Sequence, residues 1–296
     1  MKRQAATLRR LIEGGEIVVA PGVFSPVVAR QAERLGFRSV YFSGGGFSNL
    51  LGLPDLGVVT LTEVEGAVRD ITSLVGVPLI VDVDTGFGEA VNVMRTVSRM
   101  KDAGAAAIHI EDQVLPKRCG HLEGKEIVNP DEMVKKLVAA KEVARDEILV
   151  IARTDARAVE GLDGAIERAN LYGRAGADMI FPEALESRDE FAEFRKKVRL
   201  PLLANMTEFG KTPYMTASEF GELGYNVVIF PMTAFRAMMK AVKDALLELK
   251  NMGTQRNMLD SLMTRQEIYK LIDYYRYEQV DGKALDVAKK LSRTRA

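Results

Sequence analysis

The stretch VDVDTGFG sets Asp82 and Asp84 two positions apart. On a β-strand that spacing puts both carboxylates on one side and Val81 and Val83 on the other. Two carboxylates facing one interior repel each other unless a cation lies between them. A chain with one cysteine and two histidines offers no soft-ligand cluster of the kind zinc prefers. The expected cation is therefore a hard one, Mg²⁺ or alternatively Mn²⁺. Glu111 and Glu183 end other apolar runs and join through coordinated waters, because Mg²⁺ gives up its water reluctantly. A reading without metal is also open, in which Asp84 caps the following turn and Asp82 pairs with Arg153.

The only cysteine lies in PKRCGHLEGKEIV, residues 116–128, with one of the two histidines. Lys117, Arg118 and His121 surround Cys119, and neighbouring positive charge lowers a thiol toward its thiolate. A buried structural cysteine sits among apolar residues instead. Gly120 and Gly124 allow the loop to swing shut over a ligand and exclude water. Cys119 is thus a candidate acid, base or nucleophile carried on a lid, with Arg118 and His121 as catalytic candidates beside it. Positioning the loop is an equal reading for His121, and His109 reads as a satisfied interior histidine. In YFSGGGFSN, Tyr41 and Ser43 precede three glycines. The amides of Gly44 and Gly45 suit a carboxylate or phosphate, unless the glycines are only a flexible connection.

Something must bring these groups together. Eight short apolar, β-branched runs recur at 17–23, 39–44, 78–84, 106–112, 148–155, 179–184, 201–207 and 227–233. Between them lie segments of helical spacing with charged faces, several closed by glycine. Strands that read almost wholly apolar belong to a parallel sheet covered by helices. Eight repeats predict an α/β fold, a TIM (β/α)8 barrel with extra C-terminal helices; a doubly wound sheet is the alternative. Tyr41, Asp82, Glu111, Arg153, Glu183, Asn205 and Thr207 all fall at C-terminal ends of these runs, where a barrel places its chemistry. The connection from Asp112 to the helix at Asp131 is too long for an ordinary β/α loop. The barrel body is expected over 1–233. Residues 234–296 supply the eighth helix and a helical extension with more helix than the repeat needs, a surplus that packs against a neighbouring subunit.

The 41 basic and 41 acidic residues cancel and alternate along the chain. That excludes an electrostatic nucleic-acid or membrane partner. No stretch approaches the ~20 apolar residues of a membrane span, and a lone cysteine suits a reducing, cytoplasmic setting. The expected partners are a small-molecule substrate and other copies of the chain.

KRCGH after a run ending in IED, together with VDVDTGFG and SGGG, resembles the isocitrate lyase / phosphoenolpyruvate mutase superfamily over essentially the whole chain. LGLPDLG, ARTDARAVEGLDGAIERA, GADMIFPEAL, LANMTEFGKTP, PMTAFRAMMKA and GTQRNMLDSLMTRQEIY resemble, more narrowly, the branch that cleaves 2-methylisocitrate to pyruvate and succinate in the methylcitrate cycle of propionate breakdown. The resemblance implies a Mg²⁺-dependent, retro-Claisen-type carbon–carbon lyase acting on a tricarboxylate. It implies metal at Asp82 and Asp84, with Asp55 near the metal shell. It implies substrate contacts at Ser43, Gly44, Gly45, Cys119, Gly120, Arg153, Glu183, Asn205, Thr207, Arg236 and Arg265, and a methyl pocket walled by Phe181 and Ile229. Cys119 would protonate the succinate carbanion and Tyr41 would take the hydroxyl proton. The C-terminal helices would exchange between paired subunits of a homotetramer.

Departures leave alternatives. LEGKEIV after the cysteine motif also fits relatives acting on other substrates, so a sister enzyme for isocitrate, dimethylmalate or oxaloacetate stays open. A phosphonate-forming mutase is disfavoured by the cysteine motif itself. Isocitrate lyases carry a tryptophan-containing stretch where this chain reads NMTEFG, and it has no tryptophan. A non-catalytic binding barrel is the reading from another class.

Overall fold

The computed structural model describes residues 2–293. Contact density divides the chain into two units, one up to Ala237 and one from Met238 onward. The first alternates helices and strands: α1 (Lys2–Glu13), β1 (Val18–Val23), α2 (Pro26–Arg34), β2 (Val40–Phe42), α3 (Gly44–Leu50), α4 (Leu61–Leu74), β3 (Leu79–Asp82), α5 (Ala90–Asp102), β4 (Ala107–Glu111), α6 (Pro130–Ala144), β5 (Leu149–Thr154), α7 (Arg157–Arg174), β6 (Met179–Pro182), α8 (Arg188–Lys197), β7 (Leu203–Asn205), α9 (Ala217–Glu222) and β8 (Val227–Phe230). α10 (Thr233–Met252) runs across the boundary. The second unit continues with α11 (Arg265–Leu271) and α12 (Tyr274–Arg293).

All strands pair in parallel, in the order β6-β5-β4-β3-β2-β1-β8-β7. A parallel bridge from Ile180 to Leu202 brings β6 back to the start of β7 and nearly closes the ring. A sheet in chain order with β1 beside β8 is a barrel, so the doubly wound alternative falls. Each expected strand is present but one to four residues shorter than its run. The loss matters at β3, which stops at Asp82: Asp84 lies beyond it, at φ 48°. Strand alternation therefore does not place the two aspartates. A left-handed turn does.

Two apolar layers hold the barrel. Outside, Val81, Ile108, Val150 and Ile180 pack under helical residues such as Val97, Leu137, Tyr172 and Phe191. Inside, Ile80, Ile151, Met179, Phe181, Leu203 and Ile229 fill the ring, and Ala5, Leu8 and Ile12 of α1 pack into the same cluster. Interior close packing leaves no pore, and above the packed layer, at the strands' C-terminal ends, there is room for a ligand. Helix starts are fixed locally: Thr60 and Glu63 form a reciprocal capping box at α4, and Pro130 opens α6.

Candidate active site

The strands' C-terminal ends surround a cavity of about 260 Å³ lined by Tyr41, Ser43, Gly45, Asp55, Asp82, Lys117, Cys119, Gly120, His121, Arg153, Glu183, Asn205, Thr207 and Arg236, with Leu122, Glu208, Phe209, Gly210, Pro231 and Met232 on its upper wall. Most of the residues singled out in the sequence thus meet in one place.

The glycine run is not a flexible connection. Gly44 opens α3, whose cap Ser43 accepts the Gly46 N–H at 3.0 Å. The first turn lies hard against the aspartates: the Gly44 N–H donates to Asp82 Oδ2 at 3.2 Å. A Cβ on Gly44 would lie 2.8 Å from Asp82 Oδ2 and 3.5 Å from Asp84 Oδ1, and one on Gly45 would lie 3.0 Å from Asp55 Oδ2. The glycines are there so that three carboxylates can approach the chain. Asp84 also donates its N–H to Asp82 Oδ1 at 3.0 Å.

This cluster fits a hard divalent cation. Glu111 is fully buried, and neither of its oxygens has a hydrogen-bond partner among the described residues. Arg153 Nε approaches one of them at 3.3 Å. Burial pushes Glu111 well above the usual carboxylate range. It raises Asp84 to about 6 although Lys117 pulls the other way, and Asp82 and Asp55 add to the rise. Asp84 and Asp55 share the Lys117 ammonium, and Glu111 shares Arg153 with Asp155 and Glu183. Among the described residues no group of three or more metal-ligating side chains stands together. The metal-free reading does not hold as drawn, since Arg153 pairs with Asp155, Glu111 and Glu183 and not with Asp82. Glu183 is better assigned to the substrate wall than to the metal. Arg153 Nη1 at 3.2 Å, His121 at 3.0 Å and Asn205 Nδ2 at 3.2 Å occupy its carboxylate. Despite burial, Arg153 and then His121 hold it well below its ordinary value.

The long loop between β4 and α6 is folded down over the cavity. Its base is a bridge between Gln113 and Ile127, and the Gln113 side chain grips the Arg118 main chain on both its N–H and its C=O. Lys117 Nζ reaches Asp84 at 2.7 Å and Asp55 at 2.5 Å, and Lys125 Nζ reaches Asp155 at 2.7 Å. Gly120 is needed for close approach, because a Cβ there would meet Arg153 Nη2 at 2.5 Å. Gly124, at φ 73°, is the one that needs glycine's backbone freedom.

The positive charge around Cys119 is therefore spent elsewhere. Lys117 is ion-paired with aspartates, and Arg118 is exposed, its guanidinium beside Gly124 and outside the cavity lining. The thiol is open to the cavity yet walled by protein. Partial desolvation raises it above its ordinary value; Glu183 and Asp55 add to the rise while the His121 N–H and Arg153 oppose it. The surroundings therefore favour the thiol over the thiolate, which suits an acid.

Tyr41 also differs from expectation. Its hydroxyl lies 2.9 Å from His109 Nε2 and 3.4 Å from Asp82 Oδ2. Burial, then the Asp82 charge, pushes it well above its ordinary value. It is a phenol that orients its neighbours, unsuited to act as a base. His109 is pushed down to about 4, chiefly by burial, and so is neutral; its Nδ1 has no partner among the described residues, so it is less satisfied than the sequence implies.

Phe181 and Ile229 do not wall a methyl pocket. They are 0% and 1% exposed in the barrel interior, and Phe181 is the platform under Arg153, whose guanidinium carbon lies 5.1 Å from the ring centroid. Arg236 lines the cavity and holds the loop after β7 through Glu208 Oε2 at 3.0 Å. Arg265 is exposed, the first residue of α11 in the second unit. Sequence reasoning missed Lys125 and the loop Glu208–Gly210. Neither is marked by a motif in the sequence; both became visible only through pairing, Lys125 with Asp155 and Glu208 with Arg236.

Residues 8–250 match the phosphoenolpyruvate phosphomutase family. The 2-methylisocitrate lyase of Aeropyrum pernix is 55% identical over 291 residues, covering 98% of this chain and 94% of that protein. Among solved structures, oxaloacetate acetylhydrolase in complex with the inhibitor 3,3-difluorooxalacetate superposes with a TM-score of 0.90 at 34% identity, covering 96% of this chain and 97% of that one. Phosphonopyruvate hydrolase in complex with oxalate and Mg²⁺ gives 0.87 at 31% identity, covering 95% and 99%.

Proposed function

The chain belongs to the phosphoenolpyruvate phosphomutase family, and from that membership we propose that it is a carbon–carbon lyase cleaving 2-methylisocitrate into pyruvate and succinate in the methylcitrate cycle of propionate catabolism. The observation that carries the chemistry is the Cys119 side chain, held by a folded-down loop at the wall of the same cavity as the strand-end carboxylates.

The reaction is of retro-Claisen type: the substrate hydroxyl gives its proton to one of the carboxylates lining the cavity, the C–C bond breaks, and a carbanion is left on the succinate half. Arg153 Nη1, the Asn205 amide and the Thr207 hydroxyl face that half and supply donors to a developing enediolate. Cys119 then gives its proton to the carbanion. The closed loop keeps water from doing so first. Tyr41 stays protonated and orients Asp82. Ser43 and Gly45 line the pyruvate end, with the Gly44 amide holding Asp82 beside them, and Arg236 adds a cation for a carboxylate. A bound Mg²⁺, or Mn²⁺, would be held by Asp82 and Asp84, and by Asp55 and Glu111 through coordinated water, and would supply positive charge to the hydroxyl and carboxylate oxygens as the carbonyl forms. Leu122, Pro231 and Met232 offer the apolar surface for the substrate's methyl.

The protein works as a homotetramer whose C-terminal helices exchange between paired subunits, in the cytoplasm; no described helix is long and apolar enough to cross a membrane. A coupled assay for pyruvate and succinate across C4 to C7 hydroxy acids, with Mg²⁺ and with chelator, tests the reading. Preferred turnover of isocitrate, dimethylmalate or oxaloacetate would move it to a sister activity of the same family.

A further inference from the structure

We propose that His121 is a positioning residue that clasps two loops into one lid, tying the Cys119 loop to the loop between β7 and α9, with Gly210 providing the gap its ring fills. Both ring nitrogens are committed. Nδ1 accepts the Lys211 main-chain N–H at 3.0 Å. In the neutral ring the proton is therefore on Nε2, 3.0 Å from Glu183 Oε1. Asn205 Nδ2 lies 3.4 Å from Nε2, but both atoms are donors and both converge on Glu183.

Space is set as tightly as hydrogen bonding. A Cβ on Gly210 would lie 2.6 Å from His121 Nδ1 and 2.9 Å from its Cε1, closer than non-bonded atoms approach. The side chain is only 8% exposed. The second loop is anchored on its far sides, with the Thr212 hydroxyl donating to Leu185 O at 2.7 Å and Arg236 pairing with Glu208. The ring thus links the loop that carries the thiol directly to the loop after β7. With no nitrogen free for a substrate proton, its contribution is to fix Cys119, two residues away, at the cavity wall.

The sole cysteine reports on the lid. Iodoacetamide alkylation of Cys119 without substrate, beside kcat and KM, is measured for the full chain carrying His121→Leu, Gly210→Ala, both, or His121→Gln. Losing a hydrogen-bonded link to a carboxylate is expected to raise alkylation about 10-fold in His121→Leu. Gly210→Ala matches it by steric exclusion of the ring, and the double variant goes no further because both changes break one clasp. His121→Gln, whose amide can accept from Lys211 and donate to Glu183, returns most of the kcat lost in His121→Leu. Wild-type alkylation in both His121→Leu and Gly210→Ala would overturn the proposal. So would a Gln variant as inactive as Leu with alkylation undisturbed, the signature of proton transfer. The inference rests on the placement of the reaction at this cavity, but alkylation needs no turnover, so its failure is told apart from failure of the lyase reading.

Discussion

Cys119 has one task in this account, to donate a proton, and its surroundings hold the proton on it. Serine keeps the shape but is a far weaker acid, so Cys119→Ser should lower kcat by about 10² to 10⁴-fold, the usual worth of a positioned acid. Substrate binding by calorimetry should stay near the wild-type value. Near-normal turnover would make the thiol structural. The raised thiol also fixes the sign of the alkaline pH dependence. An acid acts only while protonated, so a pKa above the ordinary ~8.5 of cysteine moves the alkaline limb of kcat upward. A pH–rate profile with its alkaline limb well below 8 would indicate a thiolate and remove Cys119 as the acid. Phe181 makes a contrasting case. It is fully buried beneath Arg153, so Phe181→Trp should overpack the barrel and cost about 1 to 3 kcal/mol in denaturant unfolding. A variant of unchanged stability with altered substrate choice would restore it to the pocket.

At the scale of elements, α3 and the β4–α6 loop carry the site. The glycines at the start of α3 let Asp55, Asp82 and Asp84 close up, so Gly44→Ala should displace the Asp82 carboxylate that its Cβ would meet at 2.8 Å. Mn²⁺ binding followed by electron paramagnetic resonance should weaken about 10-fold or more, the scale seen when a ligand's support is disturbed. Unchanged affinity would separate α3 from the metal. These elements also explain how far the sequence could be read. Alternating apolar runs and their polar ends were legible because each is local, and together they placed Asp82, Glu111, Arg153, Glu183 and Asn205 correctly. What escaped was pairing between elements. Lys117 reads as charge beside a thiol until Asp55 and Asp84 are found against it, and Phe181 reads as a pocket wall until the interior layer is seen to absorb it. The strand period was also extended past the point where β3 ends, which gave the right neighbours for Asp84 by the wrong geometry.

The whole molecule adds the question of assembly and of activity. Within the second unit, Val280, Val287 and Leu291 of α12 share one helix face and are 56–65% exposed, an apolar stripe that water does not favour. Light scattering is expected to give about four times the chain mass of 32.6 kDa; a monomer at micromolar concentration would contradict the exchange of helices. The account's central claim is settled most directly by specificity constants for 2-methylisocitrate and isocitrate, measured with Mg²⁺ in one coupled assay. The claim predicts stoichiometric pyruvate and succinate from 2-methylisocitrate. It also predicts a preference of roughly 10 to 200-fold, what one methyl in an apolar pocket is worth. An equal or larger constant for isocitrate, or no pyruvate from 2-methylisocitrate, would contradict it.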